Sequence, residues 1–242
     1  MKVYGHRGAA GEAPENTIAA CRHAIERGTR YLELDMRLSR DNQLVVVHDN
    51  SVNRTSYNRG SVASYTAAEL AKMDARRSGP PWPRKRDAGI STLDKFLAAT
   101  PEVKGYFLEV KSDGNSRMQT MANLLAERFS TPTKAKKVVV TSSNKYFHEC
   151  LAYNAPHVRR GLVSMRPNVA QQLEEFDYHY LLLQWAMCFP RTLNAARNKG
   201  IKTALWTVNE PHVIKAAHRL KVDCVITDYP SMALPLVSSL LR

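Results

Sequence analysis

Short apolar runs alternate with stretches of helical period along almost the whole chain. Runs at Val3–His6, Tyr31–Leu38, Leu44–His48, Tyr106–Lys111, Val138–Thr141, Arg160–Val163, Tyr180–Leu183, Thr203–Val208 and Cys224–Thr227 predict strands. Between them the spacing predicts helices from near Pro14 to Gly28, and over Thr92–Ala99, Ser116–Phe129, Lys145–Tyr153, Asn168–Phe176, Thr192–Asn198, Pro211–Leu220 and Ser231–Leu240. In the first helix Ile18, Cys21 and Ile25 share a face, with proline leading and glycine closing. Strand and helix in alternation point to an α/β protein built on a parallel sheet. No fixed repeat runs along the chain, which argues against a solenoid.

One pair of strands departs from that scheme. Asp41-Asn42 is a turn dipeptide between two alternating segments, so Tyr31–Leu38 and Leu44–His48 are expected to form a hairpin with His48 opposite Asp35. The returning strand is then an appendage. Eight strands remain, in 242 residues, close to the roughly 250 of a (β/α)8 TIM barrel; a doubly wound open sheet is the alternative. Residues 50–89, after the His48 strand, break the rhythm with few apolar runs, the segment Gly79-Pro80-Pro81-Trp82-Pro83 and the cluster Arg84-Lys85-Arg86. They read as an insertion within a single domain spanning 1–242, either a lid or binding loop, or a solvated excursion.

Composition narrows the partners. Hydrophobic residues make up 44% of the chain, enough for a continuous core, and exclude disorder as a class. Lys and Arg number 35 against 22 Asp and Glu, a formal charge of +13, and the 50–89 segment carries a share of that excess. The sign fits nucleic acid, an acidic membrane surface or a phosphorylated small molecule. Nucleic acid is not expected, because no nucleic-acid motif accompanies the basic clusters at 84–86 and 134–137. The start Met1-Lys2-Val3-Tyr4-Gly5-His6 lacks the apolar stretch of a secretory signal, and no window reaches the roughly 18 apolar residues of a membrane span, so a soluble cytoplasmic protein is expected. Cys21, Cys150, Cys188 and Cys224 are far apart with no CxxC pair, which reads as isolated thiols rather than a zinc or redox centre.

The candidate chemistry lies on two strands and two strand ends. Along Tyr31–Leu38 the apolar residues fall on one face and Glu33, Asp35 and Arg37 on the other. Inside a barrel, two carboxylates roughly 6–7 Å apart would share an interior site, and a hard cation such as Mg²⁺ or Ca²⁺ is the simplest compensation. An amphipathic strand with one wet face is the plainer reading. Tyr106–Lys111 repeats the device: Glu109 supplies a third carboxylate, and Lys111 either pairs with it or meets a phosphoryl oxygen. His6 and His48 end strands, as structural histidines often do, yet two imidazoles beside a phosphate suit acid and base work. Arg7 adds a fork donor for phosphate.

Taken in order, His6-Arg7-Gly8, Pro14-Glu15-Asn16-Thr17, Glu33-Leu34-Asp35, His48-Asp49, Asn53-Arg54-Thr55, Leu108-Glu109-Val110-Lys111, Trp206-Thr207-Val208-Asn209 and Thr227-Asp228-Tyr229-Pro230 make the chain resemble the glycerophosphodiester phosphodiesterase family of the phospholipase C-like superfamily over nearly its whole length. The resemblance implies a TIM barrel, a divalent metal (Mg²⁺, Ca²⁺ or Mn²⁺) at Glu33, Asp35 and Glu109, and acid and base histidines at His6 and His48. It implies phosphate contacts from Arg7 and Lys111, and supporting roles for Glu15, Asn16, Asp49, Asn209 and Asp228. Trp206 lines the glycerol side of the pocket or fills the barrel core. The implied reaction releases sn-glycerol 3-phosphate and an alcohol from a small glycerophosphodiester, with lysophospholipase D or phospholipase D-like activity as the near alternative. Two departures bear on the substrate: Ser143 follows Ser142 where the family often has phenylalanine, and Ser91 stands where proline is common. The basic surface, much of it in the 50–89 insertion near the barrel mouth, is expected to attract anionic substrate.

Overall fold

The computed structural model describes residues 1–241 apart from 84, 167, 168 and 170. In chain order the strands are β1 (Lys2–Gly5), β2 (Tyr31–Leu38), β3 (Leu44–Val46), β4 (Gly105–Val110), β5 (Val138–Ser142), β6 (Arg159–Ser164), β7 (Tyr178–Gln184), β8 (Lys202–Trp206) and β9 (Cys224–Thr227). All except β3 pair in parallel, and β1 bonds to both β9 and β2, so eight strands close into a barrel. The helices are α1 (Ile18–Glu26), α2 (Ala67–Lys72), α3 (Leu93–Ala99), α4 (Asn115–Arg128), α5 (Pro132–Ala135), α6 (Lys145–Asn154), α7 (Gln172–Glu175), α8 (Pro190–Asn198), α9 (Pro211–Arg219) and α10 (Pro230–Leu240). The expected (β/α)8 TIM barrel is therefore the fold. An open sheet is ruled out by the β1–β2 pairing.

The alternation along β2 and β4 explains what is inside and what is outside. Leu32, Leu34 and Met36 of β2 and Tyr106, Leu108 and Val110 of β4 pack outward against α1, α3, α4 and α6. Tyr4, Phe107, Val139, Tyr180 and Ile226 point inward and fill the lower barrel. Phe107 stacks on Tyr4 with ring centroids 4.1 Å apart and meets Tyr180 edge-on at 5.0 Å. This aromatic plug seals one end. The inner-face carboxylates lie at the other end, where the strands terminate.

The structure corrects several expectations. The first helix starts at Ile18, because Thr17 caps it by accepting from Ala20 N, and Pro14 lies in the preceding turn. The hairpin loop holds three residues, Arg40-Asp41-Asn42, closed by Ser39 N donating to Gln43 O at 3.0 Å, with Asn42 at φ 53°. Three-residue loops that end in the left-handed region are a common alternative to the two-residue turn. The pairs are consequently Met36–Val46, Arg37–Val45 and Leu38–Leu44, one residue out of the expected register. β3 stops at Val46, and His48 follows it in a loop rather than lying opposite Asp35 on a strand. The predicted helix start at Asn168 and Arg84 of the basic cluster fall outside the described residues; α7 is a single turn farther on.

Residues 50–89 do not form a solvated excursion. Val52, Val62, Leu70 and Met73 pack with Val45, Val47 and Ile90 into a small core of their own. Its helix α2 carries a capping box in which Thr66 and Glu69 bond each other's backbone. Val45 and Val47 face this core, while Leu44 and Val46 join the main one, so β3 is the seam between them.

The aromatic plug generates a stability prediction. Phe107 is fully buried, so Phe107→Ala should cost about 3–5 kcal/mol of unfolding free energy. Urea denaturation should show a lower midpoint with an unchanged slope.

Candidate active site

The C-terminal strand ends, where barrel enzymes carry their chemistry, converge here on a cavity of about 450 Å³. β1 delivers His6 and Arg7, β2 delivers Glu33, β4 delivers Glu109 and then Lys111, and the loop after β3 brings His48. The opposite wall is apolar: Val163, Met165, Leu182, Trp206 and Ile226. Trp206 lines this cavity and also packs on the inward cluster. Ser143, the departure at the end of β5, also faces the cavity.

The turn after β1 sets the geometry. A Cβ at Gly5 would lie 1.9 Å from the Gly8 carbonyl oxygen, and one at Gly8, at φ 88°, would strike Ala20 at 2.9 Å. Only glycine lets the chain fold this tightly. Arg7 sits inside the turn at φ 50°, which aims its N–H back at Glu33 Oε2, 3.1 Å away.

Beneath the cavity, oxygens of Glu33, Asp35 and Glu109 lie within 4.8 Å of one another. Asp35 is enclosed: Asn16 Nδ2 donates to it at 2.8 Å, and Lys111 Nζ and Arg7 Nε approach at 2.9 and 3.2 Å. Burial alone would raise its pKa, but Lys111 and Arg7 hold it well below the usual carboxylate range. Glu109 contacts Lys111 Nζ at 2.6 Å, yet burial and the Asp35 charge still push it up. Glu33 fares worst. Burial, joined by Asp35 and Glu109 and opposed by His6, pushes its carboxyl up to about 8. Its Oε1 is buried with no hydrogen-bond partner.

These residues fit a hard divalent cation. The donors are carboxylates only, their spacing suits ligand distances of about 2.0–2.6 Å, and one buried oxygen lacks any other partner. Three carboxylates face Lys111 and an Arg7 that also serves Glu15, so a further positive charge is what the trio lacks.

Each histidine is oriented by an aspartate. His6 Nδ1 lies 2.6 Å from Asp228 Oδ1, and Asn209 Nδ2 donates to Asp228 Oδ2 at 2.6 Å. His6 Nε2 is left facing Arg7 Nε at 3.3 Å and Glu33 Oε2 at 3.9 Å. Burial would lower the His6 pKa, but Asp228 and Glu33 raise it overall. His48 Nδ1 lies 2.7 Å from Asp49 Oδ1. Its pKa is lowered by burial, with Lys111 and Arg7 adding to the effect against Asp35.

The residues given candidate site roles from the sequence meet at this end of the barrel. Glu15 supports the site through Arg7, at 2.7 Å, and Arg54, which grips Glu15 Oε2 at 2.5 Å and Asp49 Oδ2 at 2.7 Å. Arg54 is the residue that ties the insertion to both histidine-bearing loops, and a role for it was not evident from the sequence. Its only signal there was membership of the Asn53-Arg54-Thr55 motif. Arg37 was also missed as a positioning group: its Nε donates to the His48 carbonyl at 2.8 Å.

Comparison with known proteins gives a consistent result. The model of the glycerophosphoryl diester phosphodiesterase family matches residues 6–232. A glycerophosphodiester phosphodiesterase of Caldanaerobacter subterraneus subsp. tengcongensis is 30% identical over 243 residues, covering 97% of each chain. A lysophospholipase D of Rattus norvegicus is 26% identical and covers 93% of this chain and 82% of its own. Among solved structures, an Oleispira antarctica phosphodiesterase in complex with the product sn-glycerol-3-phosphate superposes with a TM-score of 0.86 at 22% identity, covering 98% of this chain and 97% of that one.

The Glu33 environment sets a pH and cation dependence of stability. A carboxyl raised from its ordinary 4.5 to about 8 binds more protons folded than unfolded between those values, so cation-free protein should lose stability as pH rises across that window. A divalent cation relieves the same charge. Thermal unfolding with and without Mn²⁺ should show a larger stabilisation at pH above 8 than below 5, about 2.7 kcal/mol at a hundredfold excess over Kd. Glu33→Gln should flatten both trends.

Proposed function

The chain belongs to the glycerophosphoryl diester phosphodiesterase family and is an enzyme of that kind; from that premise we propose that it cleaves glycerophosphodiesters to sn-glycerol 3-phosphate and an alcohol, using a divalent cation at Glu33, Asp35 and Glu109 and proton transfer by His6 and His48. One observation carries the reading: two imidazoles, each anchored by an aspartate, open onto a single cavity beside a carboxylate trio that lacks positive charge. The substrate named for the relatives fits the cavity, which has cationic and apolar walls.

The chain's own residues divide the work. Arg7 and Lys111 line the cavity and bind phosphate oxygens. When bound, the cation stabilises negative charge on the phosphate as a Lewis acid. His48, kept neutral by burial and by Lys111 and Arg7, takes the proton of the attacking oxygen, either that of water or that of the neighbouring glycerol hydroxyl, the latter giving a cyclic phosphate that water then opens. His6, aligned by Asp228, gives a proton to the departing oxygen. Asp49 and Asp228 hold each ring so that Nδ1 is engaged and Nε2 serves the substrate. Residues 1–242 act as one catalytic domain, a reading supported by Arg54, through which the 50–89 insertion braces Glu15 and Asp49. A cytoplasmic setting is supported by four free cysteines.

A second reading rests on the apolar wall. Met165 is 60% exposed while lining the cavity, and Trp185 and Phe189, 44% and 42% exposed, follow β7 at the same end. Such a rim suits the acyl chain of a lysophospholipid.

Two assays test these readings. His6→Ala, His48→Ala and Glu33→Ala should each lower kcat/KM for glycerophosphocholine by about 10²–10⁴, measured as sn-glycerol 3-phosphate release with Mn²⁺, Mg²⁺ or Ca²⁺ supplied; wild-type turnover in all three sinks the assignment. Glycerophosphocholine should be cleaved faster than lysophosphatidylcholine. The reverse order, with Met165→Ser slowing only the acylated substrate, selects the second reading.

A further inference from the structure

The pole of the barrel opposite the mouth carries a cationic surface whose side chains meet carbonyl oxygens and aromatic rings rather than carboxylates. Because the eight staves run parallel, all begin there. Seven of them start from a lysine or arginine: Lys2 in β1, Arg30 before β2, Lys104 before β4, Lys137 before β5, Arg159 in β6, Lys202 in β8 and Lys221 in the turn before β9. Two staves, β7 and β9, are directly preceded by a carboxylate, Asp177 and Asp223. Backbone contacts join neighbours in this ring, with Lys104 N donating to Arg30 O at 2.8 Å and Tyr106 N to Lys137 O at 2.8 Å.

Among the described residues, none of these seven side chains forms an ion pair. At the mouth, Arg7, Arg54 and Lys111 are held by carboxylates. Arg76 in the insertion is likewise held by Asp74. Other insertion cations, Arg59, Lys72, Arg77 and Lys85, form no ion pair among the described residues either, so the far pole adds a second region of unpaired positive charge. A shallow cavity of about 410 Å³ lies within it, lined by Lys2, Lys202, Lys221 and His218. Its one carboxylate, Asp223, already accepts from Thr203 N and Oγ1.

We propose that this pole docks on an anionic phospholipid surface. Charge complementarity supplies the attraction, as for other polybasic faces. Two further side chains favour lipid over nucleic acid. Tyr153, 90% exposed in the last turn of α6, and Leu241, 62% exposed after α10, stand at the same pole, where helices end and strands begin. An exposed tyrosine and leucine amid lysines suit a headgroup boundary. The ring is mostly lysine, which offers point charges to a diffuse anionic layer rather than the planar forks that read bases and phosphates. Docked this way, the mouth faces water and soluble diesters reach it unhindered.

Vesicle co-sedimentation tests the proposal, with phosphatidylglycerol–phosphatidylcholine vesicles against phosphatidylcholine alone. The full chain should bind the anionic vesicles, weakly at high salt, and ignore the neutral ones. The variant Lys104→Glu/Lys137→Glu/Lys202→Glu/Lys221→Glu should lose about tenfold or more in vesicle affinity while its turnover of glycerophosphocholine stays at the wild-type level, which also shows that it folds. If it does not fold, Lys202→Glu/Lys221→Glu should give a smaller loss of the same kind. Tyr153→Ser should weaken binding to vesicles but not to duplex DNA. Absence of binding to anionic vesicles, undiminished binding by the charge variants, or tighter binding to DNA or RNA than to vesicles would overturn the proposal. Failure of the phosphodiesterase reading would show instead as absent turnover and leaves this readout untouched.

Discussion

Three clustered carboxylates at one end of a barrel, Glu33 and Asp35 buried and Glu109 half-buried, are the constraint on which the rest of the site depends. Glu33, Asp35 and Glu109 repel one another in a place where water cannot screen them, and each neighbour reads as a response to that charge. Lys111 bonds two of them, Arg7 offers Asp35 its guanidinium and Glu33 its backbone N–H, and Asn16 donates to Asp35. The glycines at 5 and 8 exist to bend the chain far enough for Arg7 to do this. Even so, Glu33 Oε1 has no partner, and that remaining deficit is what makes a divalent cation the natural completion of the fold as well as of the chemistry.

Around that centre the support is layered. The aspartates behind His6 and His48 are themselves held, Asp228 by Asn209 and Asp49 by Arg54. Arg54 also closes on Glu15, which in turn holds Arg7. One chain of ion pairs therefore runs from the insertion, through both histidine-bearing loops, to the acidic trio. The insertion braces the site, and the small apolar core around Leu70 and Ile90 gives it the rigidity to do so.

Much of this was legible in the sequence because it follows the two-residue period of strands. Alternation placed Glu33 and Asp35 on one face of β2 and Glu109 on the same face of β4, and the parallel pairing of the two strands sets Asp35 beside Glu109. What escaped was decided by turns and by contacts distant in sequence. The three-residue loop at 40–42 shifted the hairpin by one position, a choice that Asp41-Asn42 alone does not determine. The pairing of Arg54 with Glu15 spans 39 positions and leaves no periodic trace. The insertion stayed open between a binding loop and a solvated excursion because its apolar residues are scattered, although Thr66-Ala67-Ala68-Glu69 carries a capping-box pattern that marks a helix start. The charge excess was visible as a total, but the gathering of seven lysines and arginines at the strand starts is a property of the fold.

The central claim is that the carboxylate trio is a cation site on which the surrounding structure is built. Calorimetric titration of Mn²⁺ into the wild-type protein, Glu109→Gln and Asp49→Asn tests it most directly, since binding is read without any reaction. The account predicts a single site that is lost or greatly weakened in Glu109→Gln and kept in Asp49→Asn, whose carboxylate belongs to His48 and Arg54. Binding that persists unchanged in Glu109→Gln would contradict it.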